Sequence, residues 1–333
     1  MYKGLRSFYF LKTVKDESFF FKTSIYLKYV VLNIRGEIME EKNMTALVSC
    51  FARSYHYKNN KLRIFSDDIA GKILTNNEYN SISNNMAKGI KFFNPKFVGN
   101  REEGLRWILD NQLSPSILGR STFCEKSLET AIKMGCRQYL IFASGYDTFA
   151  YRNKFENLKV FEIDKKEMIE DKIKRLHNSN IDCSNISYIK CDFNNETFIS
   201  SVLNSNYNKQ ELSFNSLLGI SYYLTKEEFV MMIKVICSNI CNGSSIVIDY
   251  PTYERSRETK INEDLAYKAQ EEMKAKYTYQ EMEELLESNG LLIYEHLNNQ
   301  EMTNNYFEKY NTLNPNHLII APKGVEYILA VKQ

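Results

Sequence analysis

After Gly135 the chain alternates short apolar runs with stretches of helical period, and this alternation restricts the fold more than any other feature. The runs are Gln138–Ala143, Lys159–Asp164, Ile186–Asp192, Ser216–Ser221, Ser245–Asp249, Leu291–Glu295 and Tyr327–Val331. Each has the length and composition of a buried strand. Helical patterns at Lys166–Asn178, Lys226–Asn242 and Thr278–Asn289 separate most of them. Strands that alternate with helices form βαβ units, whose crossovers give parallel neighbours and put helices on both faces. Seven strands fit one sheet. The expected fold is therefore α/β: a doubly wound, Rossmann-like, seven-stranded, mostly parallel sheet over 136–333.

Residues 44–135 read instead as a helical cap with lead-in helices. Leu47, Val48, Phe51 and Tyr55 recur at helical spacing. Ser66-Asp67-Asp68 is an N-cap signal ahead of Ile69–Leu74. Asn84–Gly99, with Pro95 and two glycines, reads as a loop. Ser114-Pro115-Ser116 opens a further helix that runs through Arg120 to Met134 and stops at Gly135. Segment 1–43 is rich in Phe, Tyr and Lys and has no period. It is an N-terminal extension, either an added element or a stretch upstream of a start at Met39 or Met44.

Hydrophobic residues make up 44% of the chain and charged residues 25%, enough for a sizeable core. The balance of 43 Lys and Arg against 41 Asp and Glu leaves no electrostatic footprint for nucleic acid or an acidic membrane. The most apolar N-terminal run, Phe19–Ile34, is broken by Lys22 and Lys28, so neither a membrane span nor a signal peptide is expected. Seven cysteines without a CxxC pair, and four scattered histidines, point to reduced cytoplasmic thiols and no metal site.

Parallel α/β sheets bind ligands beyond the carboxyl ends of their strands. The first strand leads into Ala143-Ser144-Gly145, and the second ends in Asp164, 19 residues after Gly145. A glycine there admits close backbone approach, and an acid at that distance accepts hydrogen bonds from ribose hydroxyls. The third strand ends in Asp192-Phe193, a further acid on the same edge. A dinucleotide would need GxGxxG. Ala143, Gly145 and Thr148 occupy those places, and Asp147 would repel a pyrophosphate. A phosphate-free nucleoside such as S-adenosylmethionine suits the turn better. Taken alone, Asp164 and Asp192 could equally be solvated strand-end acids.

The chain resembles the leucine carboxyl methyltransferase family, in particular its bacterial small-molecule O-methyltransferase branch. The matching segments are Thr45–His56, Ile64–Ala70, Ser116–Ser121, Gln138–Arg152, Val160–Asp164, Cys191–Phe193 and Leu218–Leu224. The resemblance spans about 44 to 333 and implies S-adenosylmethionine as cofactor. It also implies that Arg120 pairs with the cofactor's carboxylate, Gly145 is the close-approach glycine and Asp164 holds the ribose. Asp192 and Phe193 would hold the adenine, and Tyr222 and Tyr223 would face the methyl donor and acceptor. The family's first glycine is replaced by Ala143, whose methyl disfavours a positive φ.

Methyl transfer needs an aligned donor and acceptor with water excluded. A carboxyl acceptor is ionised at neutral pH; a hydroxyl needs a base. His56 is the candidate base, while His177, His296 and His317 lie elsewhere. So few candidates favour a carboxylic acid as the small-molecule acceptor. The rival readings are a nicotinamide-dependent oxidoreductase and a non-catalytic methyltransferase relative. Acceptor specificity is expected to reside in the cap and in two late insertions, 251–277 and 298–316.

Overall fold

A computed structural model describes residues 43–193, 198–268 and 272–333. Segment 1–42, which carries the extension and the alternative starts, lies outside the described residues. The cap consists of α1 (Met44–Asn59), α2 (Ala70–Ile73), α3 (Asn76–Lys88), α4 (Ile90–Phe93) and α5 (Arg101–Ile108). A π-helical turn, Leu109–Leu113, leads into α6 (Ser114–Lys133), which has Pro115 in its first turn and ends before Gly135 at φ +103°. The stretch expected as a loop from Asn84 is helical to Lys88 and again over Ile90–Phe93. A capping box between Thr75 and Glu78, with Ile82 and Ala87 buried, outweighs the low helix propensity of its asparagines.

The strands are β1 (Gln138–Phe142), β2 (Lys159–Asp164), β3 (Ile186–Lys190), β4 (Ser213–Leu217), β5 (Ser245–Pro251), β6 (Leu291–Leu297) and β7 (Val325–Lys332). They form one sheet in the order β3-β2-β1-β4-β5-β7-β6. The first five are parallel, and β7 runs antiparallel to both β5 and β6. Between the strands run α7 (Phe149–Arg152), α8 (Lys166–Asn178), α9 (Phe198–Leu203), α10 (Lys226–Cys237), α11 (Arg257–Lys268), α12 (Tyr279–Ser288), α13 (Asn299–Met302) and α14 (Glu308–Leu313). One core joins α10 and α12 to the sheet through Phe229, Met232, Ile236 and Met282. The other packs α6 and the 302–310 segment on the opposite face through Leu118, Phe123, Phe307 and Tyr310.

β4 begins at Ser213, not at Ser216 as expected, and stops at Leu217. Its buried polar residues disguise it as loop, yet their donors and hydroxyls find partners inside the sheet, with Asn215 Oδ1 left unpaired among the described residues. Asn215 donates to the Ser245 carbonyl at 3.1 Å, and Tyr139 Oη donates to Ser216 Oγ at 3.0 Å. Another buried polar contact ties α8 to β2: Lys172 Nζ lies 2.7 Å from Glu162, with both side chains fully buried. Burial pushes the Glu162 carboxyl up to about 7, although Lys172 opposes the shift.

Sheet order fixes where a ligand can sit. β1 lies between β2 and β4, so the chain leaves it in opposite directions and a crevice opens at the carboxyl ends of β1 and β4. The cap covers this edge. Leu47, Phe51, Ile73 and Ile82 pack in one cluster with Tyr146 of the first turn and with Met168 and Leu176 of α8.

Candidate active site

The turn after β1 is built from two left-handed residues, Ala143 at φ +52° and Gly145 at φ +45°. Asp164 fixes it. The Gly145 N–H donates to Asp164 Oδ2 at 2.7 Å, and the Lys165 N–H donates to Oδ1 at 2.7 Å. Burial raises the Asp164 pKa, while these two backbone donors pull it down. Each carboxylate oxygen keeps a second lone-pair position for a ligand hydroxyl. The same geometry disfavours a pyrophosphate. Gly145 N–H is committed to Asp164, and Asp147 N–H donates to the Ser144 carbonyl at 2.8 Å. Neither amide is left to cradle a phosphate.

The cap holds the turn from above. Arg53 of α1 donates through Nη2 to the Tyr146 carbonyl at 2.6 Å and through Nε to Asp67 at 2.8 Å. Asp67, wholly buried, also accepts from Thr148 Oγ1 at 2.7 Å and from the Ala70 N–H at 2.9 Å, and Arg152 Nε lies 3.6 Å away. These donors and charges hold its pKa down against burial.

Ala143, Gly145, Asp164, Asp192 and Phe193 line one cleft of about 470 Å³, with Arg120 and Tyr223 on its far side. Asp192 is exposed. Phe193 is buried, with its ring centroid 6.2 Å from that of Phe142 and 5.7 Å from that of Phe198. Six of the nine sequence-derived residues thus share this cleft with Tyr223 as the seventh. Across it, α6 brings Arg120 beneath Gly219, which follows β4 at φ +68°. A Cβ at residue 219 would lie 2.7 Å from Arg120 Nη1, so any other residue would push the guanidinium out of this position.

Asp249, at the carboxyl end of β5, was not among the expected site residues. It is fully buried and accepts from the Gly219 N–H at 2.6 Å and from Tyr222 Oη at 3.1 Å. Arg120 Nη1 lies 3.5 Å from it, and Arg120 Nη2 donates to Ser49 Oγ at 3.3 Å. A third acid at a strand's carboxyl end, after Asp164 and Asp192, is the signal that would have found it. Burial and the Asp249 charge raise the Tyr222 phenol well above its ordinary range, so it stays protonated.

A second cavity, of about 220 Å³ and mainly apolar, adjoins the cleft. Thr45, Ser49, Arg120, Gly219 and Tyr223 line both. Tyr222 borders this chamber. The insertion 251–277 contributes a wall through Asn262, Leu265, Ala266 and Met273. The insertion 298–316 contributes none. Its Met302, Phe307 and Tyr310 pack under α6 and β7.

His56 is not brought to either cavity. Its Nε2 accepts from the Ile64 N–H at 3.0 Å, its Nδ1 faces Asn60 Nδ2 at 3.2 Å, and its ring sits against Tyr310. Burial, with Arg106 and Arg63 nearby, pushes its pKa down to about 3. It is a neutral structural clamp in this position. His177, His296 and His317 line neither the cleft nor the chamber.

An open sheet with its switch point at β1/β4, and a cleft there whose turn amides are not free for a phosphate, fit a methyltransferase that uses S-adenosylmethionine. The sequence pattern of leucine carboxyl methyltransferase matches residues 46–237, and the chain belongs to that family. A relative from Bacillus subtilis (strain 168), the candidate S-adenosyl-L-methionine-dependent methyltransferase YktD, is 36% identical over 88% of this chain and 99% of its own length. A DUF574 family protein from Streptomyces avermitilis MA-4680 has the same fold. It has a TM-score of 0.54 at 13% identity, over 86% of this chain and 97% of that one. A candidate methyltransferase from Thermobifida fusca YX gives 0.52 at 13% identity, over 88% and 96%. The cofactor is S-adenosyl-L-methionine. Among the described residues no helix is long and apolar enough to cross a membrane.

Proposed function

We propose that the protein transfers a methyl group from S-adenosylmethionine to an oxygen of a small molecule. One observation carries this reading: a polar cleft and an apolar chamber meet along Thr45, Ser49, Arg120, Gly219 and Tyr223. When bound, the cofactor supplies an electrophilic methyl carbon, and an O–CH₃ bond forms as the S–CH₃ electron pair stays on sulfur. Asp164 holds the ribose hydroxyls on its two free lone-pair positions. Asp192 and Phe193 take the adenine, by a hydrogen bond and by packing. Ala143 and Gly145 bring the backbone close to the methionine portion. Arg120, with five N–H donors, pairs with the ligand carboxylate while keeping Asp249 and Ser49.

Tyr223 stands at the junction where donor and acceptor are aligned. A hydroxyl acceptor turns strongly acidic as its oxygen takes the methyl. Its proton passes to Tyr222 Oη as that phenol gives its own to Asp249, 3.1 Å away. The free thiols of the described cysteines fit a reducing cytoplasm.

Calorimetric titration tests the assignment. S-adenosylhomocysteine binds the wild type and NADH does not. Asp164→Ala lowers the affinity by about ten- to a hundredfold, the loss of charge-assisted hydrogen bonds worth about 1.5–3 kcal/mol. NADH binding, or an unchanged affinity in the variant, would overturn it.

A further inference from the structure

The chamber's own chemistry narrows the acceptor. Its walls are apolar and drawn from distant parts of the chain: Val48 of α1, Ile82 and Met86 of α3, Phe93 of α4, and Leu265 and Ala266 of α11. Arg120 is the one charged side chain among its described lining residues. That guanidinium sits at the mouth, against Ser49 and Asp249. A carboxylate carried past it would lose its hydration with no cation deeper in the chamber to receive it, which is strongly unfavourable.

A second observation is independent of the first. Asn85 lines the chamber and is 8% exposed, and its Nδ2 has no hydrogen-bond partner among the described residues. A buried N–H without an acceptor carries a full desolvation cost. Gln112 on the same wall differs: its Nε2 donates to the Glu258 carbonyl at 2.9 Å and to Asn262 Oδ1 at 2.8 Å, tying α11 to the cap. Asn85 alone of these two amides keeps an unspent donor at the chamber wall.

We infer that the acceptor is a neutral, predominantly apolar small molecule carrying a hydrogen-bond-accepting oxygen, which Asn85 Nδ2 holds. Its methylated hydroxyl lies at the Tyr222 and Tyr223 end. The inference rests on the methyl-transfer reading and turns the acceptor away from one that carries a carboxylate into the apolar end of the chamber.

Three matched probes test it by calorimetry on the full chain saturated with S-adenosylhomocysteine: benzophenone, its carbonyl-free analogue diphenylmethane, and the anion 4-benzoylbenzoate. Benzophenone is expected to bind about tenfold more tightly than diphenylmethane, and 4-benzoylbenzoate more weakly than either. Asn85→Leu should abolish the difference between the first two while leaving S-adenosylhomocysteine affinity and the melting temperature intact or higher. Should that variant fail to fold, Asn85→Asp keeps the shape, removes the donor and is expected to show the same loss. The inference is overturned if the anion binds best, if the ketone's advantage survives in the variant, or if no probe binds a protein that still binds S-adenosylhomocysteine. Loss of S-adenosylhomocysteine binding in the wild type would instead overturn the cofactor reading.

Discussion

Ala143 and Gly145 sit two residues apart with almost the same left-handed φ, +52° and +45°, yet only one is a glycine. A Cβ in that region costs about 1–2 kcal/mol. Ala143→Gly removes the cost but adds about 0.4–1 kcal/mol of unfolded-state entropy and gives up part of a methyl's burial, at most about 0.8 kcal/mol. The net change runs from about 0.8 kcal/mol of destabilisation to about 1.6 kcal/mol of stabilisation, centred on about 0.4 kcal/mol of stabilisation. Gly145→Ala runs the other way. Its new methyl has room, 3.5 Å from Ala46 Cβ, so φ alone sets the penalty at about 1 kcal/mol. At about 2–4 °C per kcal/mol, differential scanning calorimetry should place the two variants some 2–8 °C apart, with Ala143→Gly the higher. S-adenosylhomocysteine affinity should hold or rise in Ala143→Gly, because the residue lines the cleft. A lower melting temperature for Ala143→Gly than for Gly145→Ala would refute the strain argument. A clear loss of affinity in folded Ala143→Gly would refute the placement of the turn against the cofactor.

Lys172→Met leaves the buried Glu162 carboxyl, already pushed up to about 7, without its cation. Stability in urea unfolding should drop more at about pH 9, where ionising it is costly, than at about pH 6, and an equal drop at both would mean that the pair is not coupled as described. His56 has a folded pKa below its unfolded one, so its contribution is complete above pH 6.5 and is lost as pH falls toward about 3. Stability measured across that window should fall by up to about 4 kcal/mol from this group, and His56→Gln should flatten the slope. A chain beginning at Met39 should melt and bind S-adenosylhomocysteine like the full one, since the family match begins at residue 46. Aggregation would show that the segment is part of the fold.

β2 and α8 were legible to the residue, because an apolar run ending in an acid and an amphipathic helix behind it leave few alternatives. The 19-residue step from Gly145 to Asp164 was likewise readable, and in space it is a 2.7 Å hydrogen bond. β4 was misplaced because Ser213, Asn215 and Ser216 look like loop until the neighbouring strands supply their partners. His56 looked like a base because sequence cannot tell an exposed imidazole from one whose lone pair is spent on a backbone N–H. The chamber was invisible for a different reason. Asn85 and Asn262 are far apart in the chain, and no spacing rule joins them.

The Arg53 contact with the Tyr146 carbonyl has a consequence for anyone who would recombine relatives. The cap and the sheet are stitched by one unit of four side chains, with Arg53 and Asp67 upstream and Thr148 and Arg152 downstream. A chimera that takes its cap from one parent and its sheet from another would split that unit and leave a buried carboxylate facing foreign neighbours. A graft meant to exchange acceptor preference would have to carry all four together, and α11 with them, because the chamber's far wall is encoded about 170 to 220 residues after the cap helices it faces.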